Sequence, residues 1–118
     1  CEHCKQPAAL PVDVMKRVTD VLGGLPDTAK RAIKSTPVFY DASGCSECHG
    51  IGYKGRVGIY EVFLMNPEVE QLILTGQVSE YVLQELAVKH GMITMVQDGI
   101  LKALEGMTSV AEVFRVIE

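Results

Sequence analysis

With 118 residues, 47% of them hydrophobic, the chain is sized for one domain and can bury a real core. No apolar run is long enough to span a bilayer, and no stretch has the charged-then-apolar pattern of a leader. The net charge of −4 divides into eight Lys/Arg against six acids over residues 1–60 and three against nine over residues 61–118, that is +2 and −6. No concentrated basic face results, so nucleic acid is not an expected partner. Lys16-Arg17 and Lys30-Arg31-Lys34 sit at helical spacing and read as solvated faces. A start at Cys1 instead of a methionine leads us to expect a piece of a longer protein.

Cys1-Glu2-His3-Cys4-Lys5 opens the chain and Pro7 breaks it. Pro11 suits a first helical turn, and Val14, Met15, Val18, Val21 and Leu22 repeat at three- and four-residue steps, which predicts an amphipathic helix over 12–22 stopped by Gly23-Gly24. A second short helix is expected over 26–33, with Asp27 in its first turn and Lys30, Arg31 and Lys34 in its last. Val38-Phe39-Tyr40 is a short strand candidate. Residues 56–64 read as a strand buried on both faces, since Val57, Ile59, Tyr60, Val62, Phe63 and Leu64 form a nearly unbroken run. Glu61 inside that run needs a partner, and Arg56 or Lys54 is the nearest candidate.

After Leu64 the pattern becomes helical. Asn66-Pro67-Glu68 caps a helix reaching about Thr75 that buries Val69, Leu72 and Ile73. Ser79 caps a second, with Tyr81, Leu83, Leu86 and Ala87 inward. Thr94 and Gln97 form a capping box for a third, with Ile100, Leu101 and Leu104 inward. Ser109 and Glu112 form another for a fourth, burying Val110, Val113, Phe114 and Ile117. Met92, Met95 and Met107 read as core filler. The expected class is α+β: a tetracysteine module over 1–55 with short strands and two helices, then a buried strand and a four-helix cluster over 56–118.

The chemistry lies in Cys1, Cys4, Cys45 and Cys48, the only cysteines, arranged as two Cys-x-x-Cys pairs. A two-residue spacer lets both sulfurs of a pair face one centre, and two pairs supply the four ligands of a tetrahedral structural zinc site. Gly50 and Gly52 suit a turn whose amides donate to sulfur. Four thiolates on Zn²⁺ leave a charge of −2, which Lys5 and Lys54 can offset. His3 and His49 read as exposed loop residues. Three rivals stand beside structural zinc. A dithiol switch would sit between a strand and a helix, as neither pair does. The run Cys45-Ser46-Glu47-Cys48-His49 matches haem attachment but leaves Cys1 and Cys4 unused. Iron in the same cage stays open. No catalytic triad order, His-Glu-x-x-His or phosphate loop occurs, so no catalytic residue is assigned.

Cys-x-x-Cys-Lys over 1–5, Gly-Cys-x-x-Cys over 44–48, Gly-Tyr-Lys-Gly-Arg-x-Gly-Ile-Tyr-Glu-Val over 52–62, Leu-Ile-x-x-Gly over 72–76, Gly-Met-x-Thr-Met-x-x-Asp-Gly over 91–99 and Gly-x-Thr-Ser-x-x-Glu-Val-x-Arg-Val over 106–116 follow in order. In this the chain resembles the carboxy-terminal part of the type II secretion and type IV pilus assembly ATPases. The resemblance implies a hexameric motor, cytoplasmic and peripheral at the inner membrane, acting on a membrane platform protein. ATP and Mg²⁺ would bind residues upstream of Cys1, and residues 56–64 would be the last strand of a RecA-like core. Retraction motors of that superfamily lack the four cysteines, so the resemblance favours assembly or secretion. The other reading of the residues is a free-standing zinc-ribbon module that binds a protein partner.

Overall fold

A computed structural model describes residues 1–33, 36–76 and 78–117. Strand β1 (Lys5–Ala8) pairs antiparallel with β2 (Phe39–Ala42), placing Lys5 opposite Ala42 and Ala8 opposite Phe39. Pro7, expected to break the chain, lies inside β1 opposite Tyr40. Both strands of a two-stranded sheet are edges, and an edge accepts a proline where its missing N–H would face outward. Between the strands run α1 (Val12–Gly23) and the single turn α2 (Asp27–Lys30). Two further i to i+3 bonds, Ala32 N–H to Ala29 and Ile33 N–H to Lys30, carry α2 on as tighter turns to Ile33. Lys34 lies outside the described residues.

The remaining helices are α3 (Pro67–Leu74), α4 (Glu80–Lys89), α5 (Met95–Leu104) and α6 (Val110–Ile117). Their starts follow the sequence signals. Asn66 Oδ1 accepts the Glu68 and Val69 N–H groups, Ser79 Oγ accepts that of Val82, and Thr94 and Gln97 close a reciprocal box. At α6 only half of the expected box forms. Ser109 Oγ accepts the Glu112 N–H, while the Glu112 carboxylate takes Arg115.

One core joins α1, β2, α5 and α6, and it draws on both sides of residue 55. Val18 of α1, Phe39 of β2, Ile100 and Ala103 of α5, and Val110, Val113 and Phe114 of α6 bury one another, with Val14, Val21, Leu22 and Leu104 around them. Helix α5 is central, since α1, β2 and α6 all pack on it. Full burial of Ile100 or Val110 is worth about 2 kcal/mol each. The expected helical cluster divides here into two pairs. Helices α3 and α4 stand apart from α5 and α6, joined by Glu68, whose carboxylate meets Lys89 Nζ at 2.9 Å and His90 Nε2 at 2.7 Å. The radius of gyration, 17.2 Å, exceeds the roughly 13–14 Å of a compact chain of this length and reflects that projection. Val69 and Ala87 are buried, whereas Ile73 and Tyr81, expected inward, are exposed. Met92 fills core space as expected, but Met95 and Met107 lie on the surface.

Residues 56–64 depart from the buried strand that their composition predicts. Among the described residues no strand pairs with them, and Tyr60, Val62 and Leu64 are 65%, 65% and 75% exposed. β-Branched and aromatic residues favour extended backbone, but a strand also needs a ladder partner, and the described residues place none beside them. The segment is instead clipped to α5. Lys102 Nζ donates to the Gly58 carbonyl at 2.8 Å, and Asp98 accepts the Tyr60 N–H at 2.8 Å and the Lys102 ammonium. Glu61 finds neither Arg56 nor Lys54. Its carboxylate accepts the Met95 N–H at 3.2 Å, at the start of α5, where the helix dipole favours an anion.

Candidate metal centre

The β1–β2 ladder brings the two ends of the tetracysteine pattern together. Cys1 and Cys4 precede β1, and their turn closes through the Cys4 and Lys5 N–H groups on the Cys1 carbonyl, at 3.3 and 3.0 Å. Cys45 and Cys48 follow β2; Cys45 precedes a short 3-10 turn, Ser46–Cys48, and Cys48 ends it. Two backbone positions make that turn possible. Gly44 has φ of 87°, and a Cβ there would stand 2.3 Å from the Gly50 carbonyl oxygen. Gly52 has φ of 85°, and a Cβ there would meet the Ala42 carbonyl oxygen at 2.8 Å. His49 takes the left-handed conformation, φ 53°, one residue after Cys48.

All four sulfurs lie within 4.8 Å of one another. Cys1 to Cys45 is 3.9 Å, Cys4 to Cys48 is 3.8 Å and Cys45 to Cys48 is 3.7 Å. A tetrahedron with metal–sulfur bonds of about 2.3 Å has edges of about 3.8 Å, so these separations fit one ion in the middle. They are too long for disulfides, whose sulfurs sit about 2.0 Å apart, and all four cysteines are free. Cys4 and Cys48 are buried while Cys1 and Cys45 are half-buried. His3 and His49 are exposed and stand outside the sulfur group.

The backbone prepares the sulfurs for a cation. Cys48 Sγ accepts the Cys45 N–H at 3.1 Å and the Gly52 N–H at 3.2 Å. Burial pushes the Cys48 thiol up, but these amides and the Cys45 and Cys4 sulfurs outweigh it and bring it down to about 6. Cys4 moves the other way. Burial raises it, the Cys48 and Cys45 sulfurs raise it further, and the Gly44 N–H opposes them weakly. These donors favour the thiolate form at Cys48, and a bound divalent ion would draw the remaining protons off.

Two contacts around the centre carry no local sequence signal. Lys5, expected to offset thiolate charge, pairs with Glu2 at 2.8 Å and donates to the Gly106 carbonyl at 3.2 Å. The Tyr53 hydroxyl bonds Ser109 Oγ at 2.5 Å. Both reach the turn between α5 and α6, some 50 to 100 residues away in sequence.

A four-cysteine cage at the edge of a small α+β unit could hold one metal ion, and with all four sulfurs as ligands no coordination position would be left open. The chain belongs to the type II/IV secretion system protein family, whose model matches residues 1–115. It is 34% identical over its whole length to a type IV pilus assembly ATPase PilB of Thermus thermophilus, covering 12% of that protein. Over 98% of its length it is 36% identical to PilB of Pseudomonas aeruginosa, covering 19% of it. It is also 32% identical over its whole length to type II secretion system protein E of Klebsiella pneumoniae, covering 21% of it. The chain therefore spans about a fifth or less of the length of these relatives. No helix among the described residues is long and apolar enough to cross a membrane.

Proposed function

We propose that this chain is a zinc-stapled, non-catalytic C-terminal region of an ATPase that powers type IV pilus assembly or type II secretion. Family membership and the relatives' names support the motor reading. The sulfur cluster, with separations of 3.7 to 3.9 Å, is the observation that carries the metal reading. Cys1, Cys4, Cys45 and Cys48 would hold one Zn²⁺, which supplies a fixed cross-link and no reaction chemistry. Residues 1–55 form the metal-binding part and 56–118 the helical part, sharing one core. ATP and Mg²⁺ bind elsewhere in the longer protein. That protein works as a cytoplasmic hexamer, peripheral at the inner membrane, with this region supplying contacts to neighbouring subunits and to a membrane platform protein.

Metal analysis of the purified chain tests the first half. One zinc per chain is expected, with no Soret absorbance, and Cys48→Ser should lower zinc to background. A zinc-free chain with oxidised cysteines, or stoichiometric iron, would sink it. Steady-state ATP hydrolysis tests the second half. The longer protein should turn over ATP while this chain alone should not, and activity in the isolated chain would contradict its non-catalytic role.

A further inference from the structure

The metal centre and the last helix are joined by a continuous set of contacts. Gly52 is buried, and both of its backbone groups are held by metal-centre residues. Its N–H donates to Cys48 Sγ at 3.2 Å, and its carbonyl accepts from the Cys1 backbone nitrogen at 2.8 Å. The next residue is Tyr53, whose hydroxyl bonds Ser109 Oγ. Ser109 is 6% exposed, and the same oxygen accepts the Glu112 N–H at 3.2 Å, which makes it the cap of α6. Helix α6 then supplies Val110, Val113 and Phe114 to the core.

The β1–β2 ladder fixes Lys5 beside Ala42 through backbone pairing, and Lys5 in turn holds Gly106. The ladder does not fix residues 43–52. That loop folds around the Cys48 sulfur, and its shape sets where Tyr53 stands. The Tyr53 contact is therefore the one reached through the loop around the sulfurs.

We propose that metal binding at the four cysteines and docking of α6 form one coupled equilibrium, transmitted through Gly52 and Tyr53 to Ser109. The inference rests on the zinc reading above. By linkage the coupling runs both ways, so loosening the Tyr53 contact weakens metal binding by the factor that metal loss weakens the α6 cap.

The test compares the zinc-loaded chain with chain stripped by a chelator, with zinc content measured on the same samples. Amide exchange in α6, read at Val113 and Phe114, should rise about tenfold on stripping, while amides of α4 stay within about twofold. In a chelator competition with zinc, Tyr53→Phe should weaken affinity by roughly fivefold or more, whereas Tyr81→Phe, on the exposed face of α4, should leave it unchanged. Ser109→Ala offers a second break of the same contact. One zinc per chain with unchanged α6 exchange and unchanged affinity in Tyr53→Phe overturns the coupling and leaves the metal reading standing. Equal loss of protection in α4 and α6 also overturns it, because the metal would then support the whole fold without a route. A chain that binds no zinc removes both.

Discussion

Gly99, in the middle of α5, makes a sharp test because two effects of known size oppose each other there. An alanine in a helix interior is favoured over glycine by about 1 kcal/mol. The same methyl, however, would stand 2.6 Å from Val113 Cγ1 and 3.2 Å from Cγ2. Carbon atoms rest about 3.5–4.0 Å apart, so α5 and α6 must separate or Val113 must turn. Val113 is only 3% exposed and branched at Cβ, so it has neither space nor a cheap rotamer. Overpacking of this kind costs about 1–3 kcal/mol, and such a deep overlap belongs at the upper end. Gly99→Ala should therefore destabilise the chain by a net 1–2 kcal/mol, on the order of the difference of these terms. In a Val113→Ala background the clash is gone, and the same substitution should become stabilising by about 1 kcal/mol. Urea unfolding followed by circular dichroism, on the four proteins of the cycle, measures both. A higher midpoint for Gly99→Ala in the otherwise unchanged chain would refute the close-packing argument.

Three further perturbations follow from contacts described above. Gly44→Ala forces a left-handed φ of 87° on a side chain and drives its Cβ against the Gly50 carbonyl, so it should weaken zinc affinity by about tenfold or more in chelator competition; unaltered affinity would contradict the turn geometry. Gln97→Ala removes a 7% exposed side chain that accepts the Thr94 N–H and donates to the Val21 carbonyl, and urea melts should show a loss of about 1–2 kcal/mol; no loss would mean that the link from α5 to α1 contributes nothing. Lys89, then His90, hold the Glu68 carboxyl below its ordinary value of 4.5, against a weaker effect of burial. The stabilisation it gives the α3–α4 pair is thus complete above that ordinary value and lost as pH falls through the lowered one. A carbon NMR titration of Glu68 should find its midpoint below 4.5, moving upward in Lys89→Met; a midpoint at or above 4.5 in the unaltered chain counts against the pairing.

Much of this architecture was legible because its signals are local. Asn66, Ser79 and Thr94 are short polar side chains that satisfy amides two or three residues on, so the sequence neighbourhood contains both partners. The two Cys-x-x-Cys pairs were legible for the same reason, since each pair closes within one turn. Long-range partners left no such trace. Nothing around Tyr53 points to Ser109, and nothing around Glu61 points to Met95. Residues 56–64 misled in the opposite way. Their composition specifies a conformation, yet a strand is completed only by a neighbour, and composition cannot supply one. Pro7 misled because a proline read as a break is tolerated in an edge strand, and β1 keeps one edge open.

The contact from Lys5 to Gly106 spans 101 residues, while the sulfur pairs Cys1–Cys45 and Cys4–Cys48 each span 44. During synthesis the second cysteine pair emerges long before Gly106 does, so the cage can close first. Closing it shortens the remaining loop by roughly half, and the logarithmic cost of loop closure then falls by only about 0.6 kcal/mol. Chain entropy alone is thus a weak reason for the staple. The order of emergence matters more: β1 and both cysteine pairs are made before α6, so α6 can land on a surface already assembled instead of recruiting its parts.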